Sequence, residues 1–522
     1  SGQRMIWPGN LEIRLDRNGA KPLHAQLAEV LQSAAGDGRL PAGTRLPSVR
    51  AAAADLGINP GTVATAYGTL VRLGCLESHA GSGCRIPAQV RAVEVADVPD
   101  LADELYSLED IEWMGGTRSG PTAAAVNMAS STPEPDPLTQ ADVRDAFTHV
   151  LSHAITEAFD YQEPMGFPPL RALLAETLAQ DGVRTDSGCI QIISGAQQGL
   201  DIVAKAMLSP GDTVLVEYPT YPGAVAVFRS RGARVVGVPV GPDGMDPDQV
   251  RGMMRRYRPR LLYVIPFHQN PTGAVYSVER LQALVRIADA FGAHIVEDDY
   301  LRELRFDGCV PRPMKAFDDA ERVIFVKSHS KLLMPGLRVA HMVVPQARSA
   351  RLALAKHTTD IFTSGLLQQG FHQFCKNGGW DRHLARMRIA QGARCAELGL
   401  RLAENLPGDV PVPVVDGGLS YWLELPEWAG PEALYRLCGA QGVRIVPDTL
   451  FLDDALRDTL QAPWRERRHV RVSFAALGPE GARIGAEVLG GCLVQLRNTA
   501  WRQVRWKRRG GDDHREPEGF GP

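Results

Sequence analysis

At residues 328–338 the chain reads Ser-His-Ser-Lys-Leu-Leu-Met-Pro-Gly-Leu-Arg, just after the strand-like apolar run Val323–Val326. Lys331 offers a primary amine that can act as a nucleophile. The two serine hydroxyls and the guanidinium of Arg338 lie near enough in sequence to bind the oxygens of one phosphate group. Taken alone, the stretch is equally compatible with an exposed loop.

Further apolar runs ahead of this stretch have the length of buried strands. From Asn127 onward they alternate with segments of helical spacing. This alternation predicts an α/β domain with a mostly parallel, buried sheet. The strand-like runs are Gln191–Ile193, Thr213–Val216, Arg234–Val238, Leu261–Ile265, His294–Val296 and Val323–Val326.

Polar residues follow two of these strands, at the position where open α/β sheets bind ligands. Val296-Glu297-Asp298-Asp299-Tyr300 ends one strand, and its carboxylates could pair with a protonated ring nitrogen. The alternative is a solvated acidic strand end. Pro266-Phe267-His268-Gln269-Asn270-Pro271-Thr272-Gly273 follows another strand, and Asn270 could donate to a phenolic oxygen.

Two weaker motifs complete the set. Ser194-Gly195-Ala196-Gln197-Gln198-Gly199-Leu200 joins a strand to a helix, and its small residues let backbone N–H groups approach a phosphate at the helix N-terminus. Glu217-Tyr218-Pro219-Thr220-Tyr221-Pro222-Gly223 offers an aromatic face on which a ring could stack. A tyrosine in such a turn could also serve packing alone.

An amine, an anion, hydrogen-bond donors and a phosphate cradle are what pyridoxal 5'-phosphate (PLP) needs from a binding site. In this order, the motifs resemble the class I/II aminotransferases of PLP fold-type I, over roughly Asn127 to Leu496. The resemblance implies that Lys331 forms the internal aldimine and that Asp298 faces the pyridine nitrogen. It implies phenolic-oxygen contacts from Asn270 and Tyr300, and ring stacking by Tyr221. The phosphate would be held by Ala196, Gln197, Ser328, Ser330 and Arg338.

The same resemblance implies a homodimer with shared active sites. Tyr161 matches the tyrosine that such enzymes lend to the phosphate of the neighbouring subunit. Arg471 matches the arginine that binds the α-carboxylate of the substrate, a role that suits a planar guanidinium; a strand-edge ion pair is the alternative. The segments around Gly417 and Gly442 resemble the small C-terminal α/β subdomain of the fold, although Asp448 stands where relatives usually have glycine.

An N-terminal unit at residues 20–87 has a different pattern. Helical spacing over His24–Leu31 is followed by a helix with Ser48 as its N-cap, a helix over Thr62–Leu73 and two short strands around a Gly-rich turn. Three helices followed by a hairpin predict an α+β winged helix-turn-helix. The motif at residues 38–50 resembles the GntR-type winged helix, and its fusion to an aminotransferase-like domain resembles the MocR-type transcriptional regulators.

By this resemblance the unit binds double-stranded DNA. Its expected contacts are Arg45, Arg50, Thr62, Thr65, Gly81 and Ser82. The arginines would neutralise phosphates, and the helix residues would contact bases. Pro60 and Ala64 stand where relatives commonly carry arginines, and residues 20–87 hold six basic against four acidic side chains. These departures argue against tight sequence-specific DNA binding, while the fold prediction depends on spacing and turns and is unaffected.

The bulk composition describes an ordinary globular protein of several domains, with 44% hydrophobic and 22% charged residues and a net charge of −3. Eight scattered cysteines predict reduced thiols in a cytoplasmic protein rather than disulfides or a metal site. No apolar run reaches the ~18 residues that suggest a membrane span. We expect domains at 20–87 and 127–498, a linker at 88–126 and a disordered basic tail at 499–522, which could add contacts to nucleic acid.

Two functions remain open at this point. One is a ligand-responsive regulator, in which an amino acid or amine forms an external aldimine and thereby changes DNA binding. The other is a working aminotransferase with a vestigial winged helix. A third possibility, a DNA-binding scaffold without cofactor, leaves the joint presence of Lys331, Asp298, Asn270 and Arg338 unexplained.

Overall fold

A computed structural model describes residues 7–8, 11, 13–17, 21–36, 39–41, 43–72, 75–79, 83–86, 126–452, 454–457, 460 and 464–508. The chain divides into two compact units, Ser1–Glu104 and Leu105–Pro522. Of the predicted linker, residues 88–125 lie outside the described residues. Across the described helices, none combines the length and apolar character needed to cross a membrane.

The first unit has the predicted winged-helix elements. Ser48 caps the second helix, since its hydroxyl accepts a hydrogen bond from the Ala51 N–H at 3.2 Å, and Gly57 ends that helix with a φ of 60°. The two strands pair antiparallel from Glu77–Arg85 to His79–Gly83. The elements are α1 (Leu23–Gly36), α2 (Val49–Leu56), α3 (Pro60–Arg72), β1 (Glu77–His79) and β2 (Gly83–Arg85).

The core of this unit extends beyond the predicted boundary at residue 20. Trp7 and Leu11 are buried among the apolar residues of the three helices. The Trp7 indole N–H also donates to the Asp55 carboxylate of α2 at 2.9 Å. The segment that precedes α1 therefore belongs to the winged-helix core, although it shows no periodic pattern that would have indicated this.

The second unit is built on an eight-stranded sheet in the order β4-β11-β10-β9-β8-β5-β6-β7. All six predicted strands are present. The antiparallel strands β11 and β7 were not predicted, and they make the sheet mixed. The strands are β3 (Val126–Asn127), β4 (Ile190–Ile193), β5 (Thr213–Tyr218), β6 (Arg234–Gly241), β7 (Gly244–Met245), β8 (Leu261–Val264), β9 (His294–Asp299), β10 (Val323–Ser328) and β11 (Ala340–Val343).

The five strands β6, β5, β8, β9 and β10 run parallel to one another. Their carboxyl ends therefore meet at one edge, where the chain leaves the sheet in the predicted motifs. Every residue of β9 and β10 is buried. Helices pack on both faces of the sheet and on one another. They are α4 (Pro137–His153), α5 (Ile155–Phe159), α6 (Pro168–Gln180), α7 (Ala196–Met207), α8 (Pro222–Ser230), α9 (Pro247–Tyr257), α10 (Val278–Phe291), α11 (Ser349–Asp360) and α12 (Gly365–Lys376).

The predicted small C-terminal subdomain is a three-stranded sheet, β12-β15-β14, with long helices packed against it. The N-terminal segment β3 joins it by pairing in parallel with β13. Its elements are α13 (Gly379–Asn405), β12 (Ser420–Glu424), α14 (Pro431–Ala440), β13 (Val443–Arg444), β14 (Val446–Pro447), α15 (Asp454–Arg457), β15 (His469–Ser473) and α16 (Pro479–Arg508).

The prediction of a disordered tail from residue 499 is wrong for its first ten residues, because α16 continues to Arg508. The start of this helix is packed in the small-domain core through Ala486, Leu489 and Leu493. Extending an existing helix requires far less free energy than nucleating one, so the polar end continues the helical path. Residues 509–522 lie outside the described residues.

Candidate functional site

A cavity of about 370 Å³ lies at the carboxyl edge of the parallel strands, between the large and small domains. It brings together most of the site residues that the sequence predicts. On its wall are Lys331, Asp298, Asn270, Tyr300, Tyr221, Ala196, Gln197, Ser328 and Arg471. Three predicted residues are not among those that line it: Ser330, Arg338 and Tyr161.

Lys331 projects into this cavity from the turn after β10. Its ammonium group donates to the Thr132 hydroxyl at 3.2 Å. Burial, together with the positive charge of Arg471, lowers the pKa of Lys331 to about 8. A substantial fraction of the amine is therefore neutral near pH 8, as nucleophilic attack on an aldehyde requires.

Asp298 lies at the end of β9, and its side chain is buried. One carboxylate oxygen accepts a hydrogen bond from the Tyr263 hydroxyl at 2.7 Å. The other oxygen has no hydrogen-bond partner in the described part of the chain. Burial raises the pKa of Asp298 to about 6. A buried carboxylate with an unpaired oxygen facing a cavity is suited to a cationic N–H donor.

Arg471, on β15, is buried and lines the same cavity. One terminal nitrogen donates to the Asn270 side-chain oxygen at 2.8 Å, and the other donates to the Ala129 carbonyl at 3.1 Å. Burial lowers the pKa of Arg471 to about 10, so it remains charged at neutral pH. A guanidinium has five N–H donors, and these two bonds leave three for a ligand carboxylate.

The two tyrosines at the site are held by polar partners. The Tyr300 hydroxyl donates to the His268 carbonyl at 2.6 Å, and the Tyr221 hydroxyl donates to the Gln197 side-chain oxygen at 3.1 Å. Gln197 in turn donates to the Gly223 carbonyl at 2.9 Å. The Tyr221 ring is thereby fixed beside the start of α7.

The end of the cavity near α7 has the features of a phosphate cradle. Gly195 precedes the helix with a φ of 106°, and a Cβ there would collide with the Arg338 guanidinium. Arg338 donates to the Ser194 carbonyl at 2.6 Å. The buried Ser330 hydroxyl has no partner among the described residues. Ala196 and Gln197, at the start of α7, line the cavity, and the N-terminus of a helix favours an anion.

Three functional contacts were missed by the sequence analysis: Tyr263 on Asp298, Thr132 on Lys331, and Gln269. The Gln269 side-chain amide donates to the Glu217 carboxylate at 3.0 Å and to the Pro219 carbonyl at 2.8 Å. It therefore joins the turn that carries Tyr221 to the turn that carries Asn270. Only its position next to Asn270 could have indicated this role.

Tyr161 lies apart from the cavity of its own chain. Its side chain is 80% exposed. Within the described part of the chain, its one ring contact is with Phe362, edge to face, with 5.4 Å between the ring centroids. An exposed aromatic residue of this kind is available to a second protein surface.

In the winged helix, Arg45 and Arg50 are exposed and Thr62 is half-buried. The exposed Thr65 hydroxyl donates to the Gly61 carbonyl at 2.9 Å, so a base contact would have to use its oxygen or its methyl group. The predicted wing residues Gly81 and Ser82 lie outside the described residues.

The residues present fit PLP. The unpaired oxygen of Asp298 meets the need of a protonated pyridine nitrogen, and the start of α7, where Ala196 and Gln197 line the cavity, meets that of a phosphate. Lys331 supplies the amine. Bound PLP supplies an aldehyde that captures primary amines and a ring that withdraws electrons.

Comparison with known proteins agrees with this site. Residues 125–489 match the family "Aminotransferase class I and II", and residues 23–86 match "Bacterial regulatory proteins, gntR family". The probable rhizopine catabolism regulatory protein MocR of Rhizobium meliloti is 31% identical over 493 residues, 93% of this chain and 96% of that protein. The transcriptional regulator TauR of Rhodobacter capsulatus is 30% identical over 474 residues, 88% of this chain and 94% of that protein.

Among solved structures, the α-aminoadipate aminotransferase LysN of Thermus thermophilus, complexed with N-(5'-phosphopyridoxyl)-L-leucine, superposes with a TM-score of 0.65. It is 30% identical, and the match covers 76% of this chain and all of that one (100%).

The chain belongs to the class I and II aminotransferase family of PLP-dependent proteins. Its N-terminal unit is a GntR-type DNA-binding domain, and the two together have the architecture of the MocR-type regulators. It is a PLP-dependent DNA-binding transcriptional regulator, which favours the first of the two functions left open by the sequence.

Proposed function

We propose that this protein is a homodimeric regulator that binds an operator and changes its DNA affinity when an amino acid or amine is captured at the PLP site. One observation carries the proposal: a single chain holds a DNA-binding fold and a cavity in which Lys331 and Arg471 face the same space. That cavity offers anchors for both an amine and a carboxylate.

Two side chains of the cavity, Lys331 and Arg471, would act in the capture of the effector. Lys331 would hold the aldehyde of bound PLP, and an effector amine that enters the cavity would compete with it for that aldehyde. The Lys331 amine lies beside the Thr132 hydroxyl, and its lowered pKa leaves much of it neutral near pH 8, so that it could bond to the aldehyde of the cofactor. Arg471 binds the carboxylate with its remaining N–H donors and so selects amino acids over simple amines.

The proposed dimer explains the exposure of Tyr161. A tyrosine that does not reach its own cavity can complete the phosphate site of a second copy. Each site would then need two chains, and the two winged helices would be brought to the two half-sites of one operator.

DNA binding is proposed to use Arg45 and Arg50 on phosphates and α3 on bases, with Gly81 and Ser82 at the wing. Because the unit has a small excess of positive charge, few counterions are released and the affinity should depend only moderately on salt. An effector changes this affinity only if it binds one arrangement of the protein better than another.

The test is an electrophoretic mobility assay of the holoprotein on the DNA upstream of its own gene, with and without a panel of amino acids. We expect a shifted band whose midpoint moves at least ~5-fold with one effector. Absence of a shift at every low-salt condition contradicts the regulatory function. A shifted band whose midpoint is the same with every effector contradicts ligand control but not DNA binding.

A second candidate, aminotransferase activity, is favoured by the complete set of Lys331, Asp298 and Arg471 in one cavity. Incubation of the holoprotein with an amino donor and a keto-acid acceptor, followed by product analysis, distinguishes the two. Multiple turnovers per site support the enzyme. A spectral change without released keto acid supports a regulator that only senses its ligand.

A further inference from the structure

A buried histidine contacts the main chain beside the proposed cofactor lysine. His383 lies on α13 and is 6% exposed. Its Nε2 atom forms a hydrogen bond with the main-chain carbonyl of Leu332, the residue that follows Lys331. A carbonyl oxygen only accepts hydrogen bonds, so Nε2 carries a proton and donates it. The main chain next to Lys331 is therefore attached to α13.

The other nitrogen of the same ring also has a defined partner. Nδ1 of His383 lies 2.8 Å from the hydroxyl oxygen of Thr139, a residue of α4 that is 1% exposed. Burial lowers the pKa of His383, so the ring is neutral at neutral pH and its single N–H is the one at Nε2. Nδ1 then accepts the Thr139 proton. Thr139 in this way selects the tautomer that donates to Leu332.

Two charged neighbours fix the hydroxyl of Thr139. Its oxygen accepts a hydrogen bond of 2.9 Å from the Arg386 guanidinium and lies 2.8 Å from the Asp136 carboxylate. One hydroxyl proton cannot serve both Asp136 and His383. Asp136 already accepts from Arg386 at 2.6 Å and from the Leu138 N–H at 3.2 Å. A neutral His383 has no such second donor at Nδ1 in the described part of the chain, so the proton belongs to it.

Helix α13 is also connected to the amine of Lys331. Thr132, whose hydroxyl lies 3.2 Å from that amine, precedes Asp136 by four residues. Asp136 forms an ion pair with Arg386, which follows His383 by three residues and therefore lies on the same face of α13. The helix thus reaches Lys331 by two routes, one to its main chain and one to its amine.

The turn that carries Lys331 is bound from inside and from outside. Inside the turn, the Leu333 N–H donates to the His329 carbonyl at 2.9 Å. Outside it, His383 holds the Leu332 carbonyl. Lysine has a flexible four-carbon side chain, so each peptide fixed beside it narrows the volume in which its amine moves. A narrower volume raises the effective concentration of the amine at an aldehyde bound in the cavity.

We infer that His383 and Thr139 are positioning residues for Lys331. Neither is among the residues that line the cavity, so both act through the main chain. Thr139 sets the proton on His383, and His383 holds the turn from which the lysine projects. Loss of either contact weakens the bond that the lysine amine forms with the aldehyde carbon of PLP, with release of water. The inference rests on the proposed role of Lys331 and holds equally for a regulator and for an enzyme.

The experiment is a double-mutant cycle on the affinity of the full-length protein for PLP, measured by equilibrium dialysis. Thr139→Val removes the hydroxyl at similar volume and leaves the N-cap of α4, Asp136, in place. In the parent we expect Thr139→Val to weaken PLP binding about 3- to 10-fold, as loss of one buried hydrogen bond does. In a Lys331→Ala background the same change should alter the affinity by less than about 2-fold, because no lysine remains to be positioned.

Conservative variants and a matched control make the test specific. Thr139→Ser keeps the hydroxyl and should bind PLP as the parent does. His383→Leu should weaken binding about 10-fold, and His383→Gln, whose amide can donate to the Leu332 carbonyl, should restore most of it. His294→Leu is the control and should bind normally, because His294 is a histidine of 8% exposure at the opposite, amino-terminal end of β9. Thermal unfolding of each apoprotein shows whether it is folded.

An equal loss of PLP affinity in the parent and in the Lys331→Ala background overturns the inference, since Thr139 would then support the domain as a whole. Parental affinity of a folded Thr139→Val protein overturns it as well. If His383→Leu does not fold, the Thr139 variants decide. A Lys331→Ala protein that binds PLP as tightly as the parent contradicts the proposed role of Lys331, and the inference fails with it.

Discussion

The side-chain oxygen of Asn270 accepts a hydrogen bond of 2.8 Å from Arg471, although the two residues are 201 positions apart in the chain. With its oxygen turned toward the guanidinium, the amide directs its N–H₂ group elsewhere, as donation to a phenolic oxygen requires. One side chain can therefore orient both the cofactor and the carboxylate anchor.

Arg471→Lys is expected to weaken binding of amino acids by about 10- to 100-fold, because a lysine keeps the charge but loses the planar pair of donors. Binding of butylamine should be unchanged, since it makes no carboxylate contact. Spectral titration of the holoprotein measures both. An equal loss of affinity for the amino acid and for butylamine would show that Arg471 supports the cofactor site in general and does not bind the carboxylate.

Asp298→Asn should stabilise the protein that lacks PLP, and weaken PLP binding. Burial raises the pKa of Asp298 to about 6, so the folded state binds its proton more tightly than the unfolded chain does. The stability of the apoprotein therefore falls as pH rises through about 4 to 6. At pH 8 we expect the apo-variant to be more stable than the parent by on the order of 2 kcal/mol, with the gap closing below pH 4.

Thermal unfolding of the two apoproteins at pH 8 and pH 4 measures this gap, and cofactor titration measures the affinity. A variant that is less stable than the parent at pH 8, with PLP absent from both, would show that no buried charge is relieved. A variant that binds PLP as tightly as the parent would show that Asp298 does not pair with the ring nitrogen.

Shared sites predict complementation between two defective proteins. Tyr161→Ala should lower cofactor affinity without changing the fold, since the side chain is exposed, and Lys331→Ala should abolish the covalent adduct. In hybrid dimers, one of the two sites has both residues intact. Mixing equal amounts should restore about a quarter of the parental sites.

Borohydride trapping at limiting PLP counts these sites. A mixture that traps no more cofactor than the average of its components would mean that Tyr161 serves no neighbouring subunit.

Arg50→Gln should weaken binding to all DNA sequences alike and reduce the slope of log affinity against log salt by about one. Lys21→Gln is the matched control, because Lys21 is already paired with Glu29. Fluorescence anisotropy with operator and unrelated duplexes, over a series of salt concentrations, measures both. A loss confined to the operator would instead assign Arg50 to base recognition.

Much of the fold could be predicted because its strands are continuous apolar runs bounded by turns. β11 was missed because His341 interrupts its apolar pattern; in the structure this histidine is buried, and burial lowers its pKa to about 3. Trp7 was missed for another reason. A single aromatic residue ahead of α1 carries no periodic signal, and only the packed core shows where it belongs.

The residue types of the site and their common location could be predicted from the amino-acid pattern, because Asp298 ends a strand, Lys331 and Asn270 follow strands, and parallel strands bring their carboxyl ends to one edge. The hydrogen-bond partners and the burial of these groups could not be predicted, because they depend on the packed fold. The unpaired oxygen of Asp298, the lowered pKa of Lys331 and the exposure of Tyr161 depend on the side chains that surround each group. Those neighbours come from distant segments, and packing alone sets their distances.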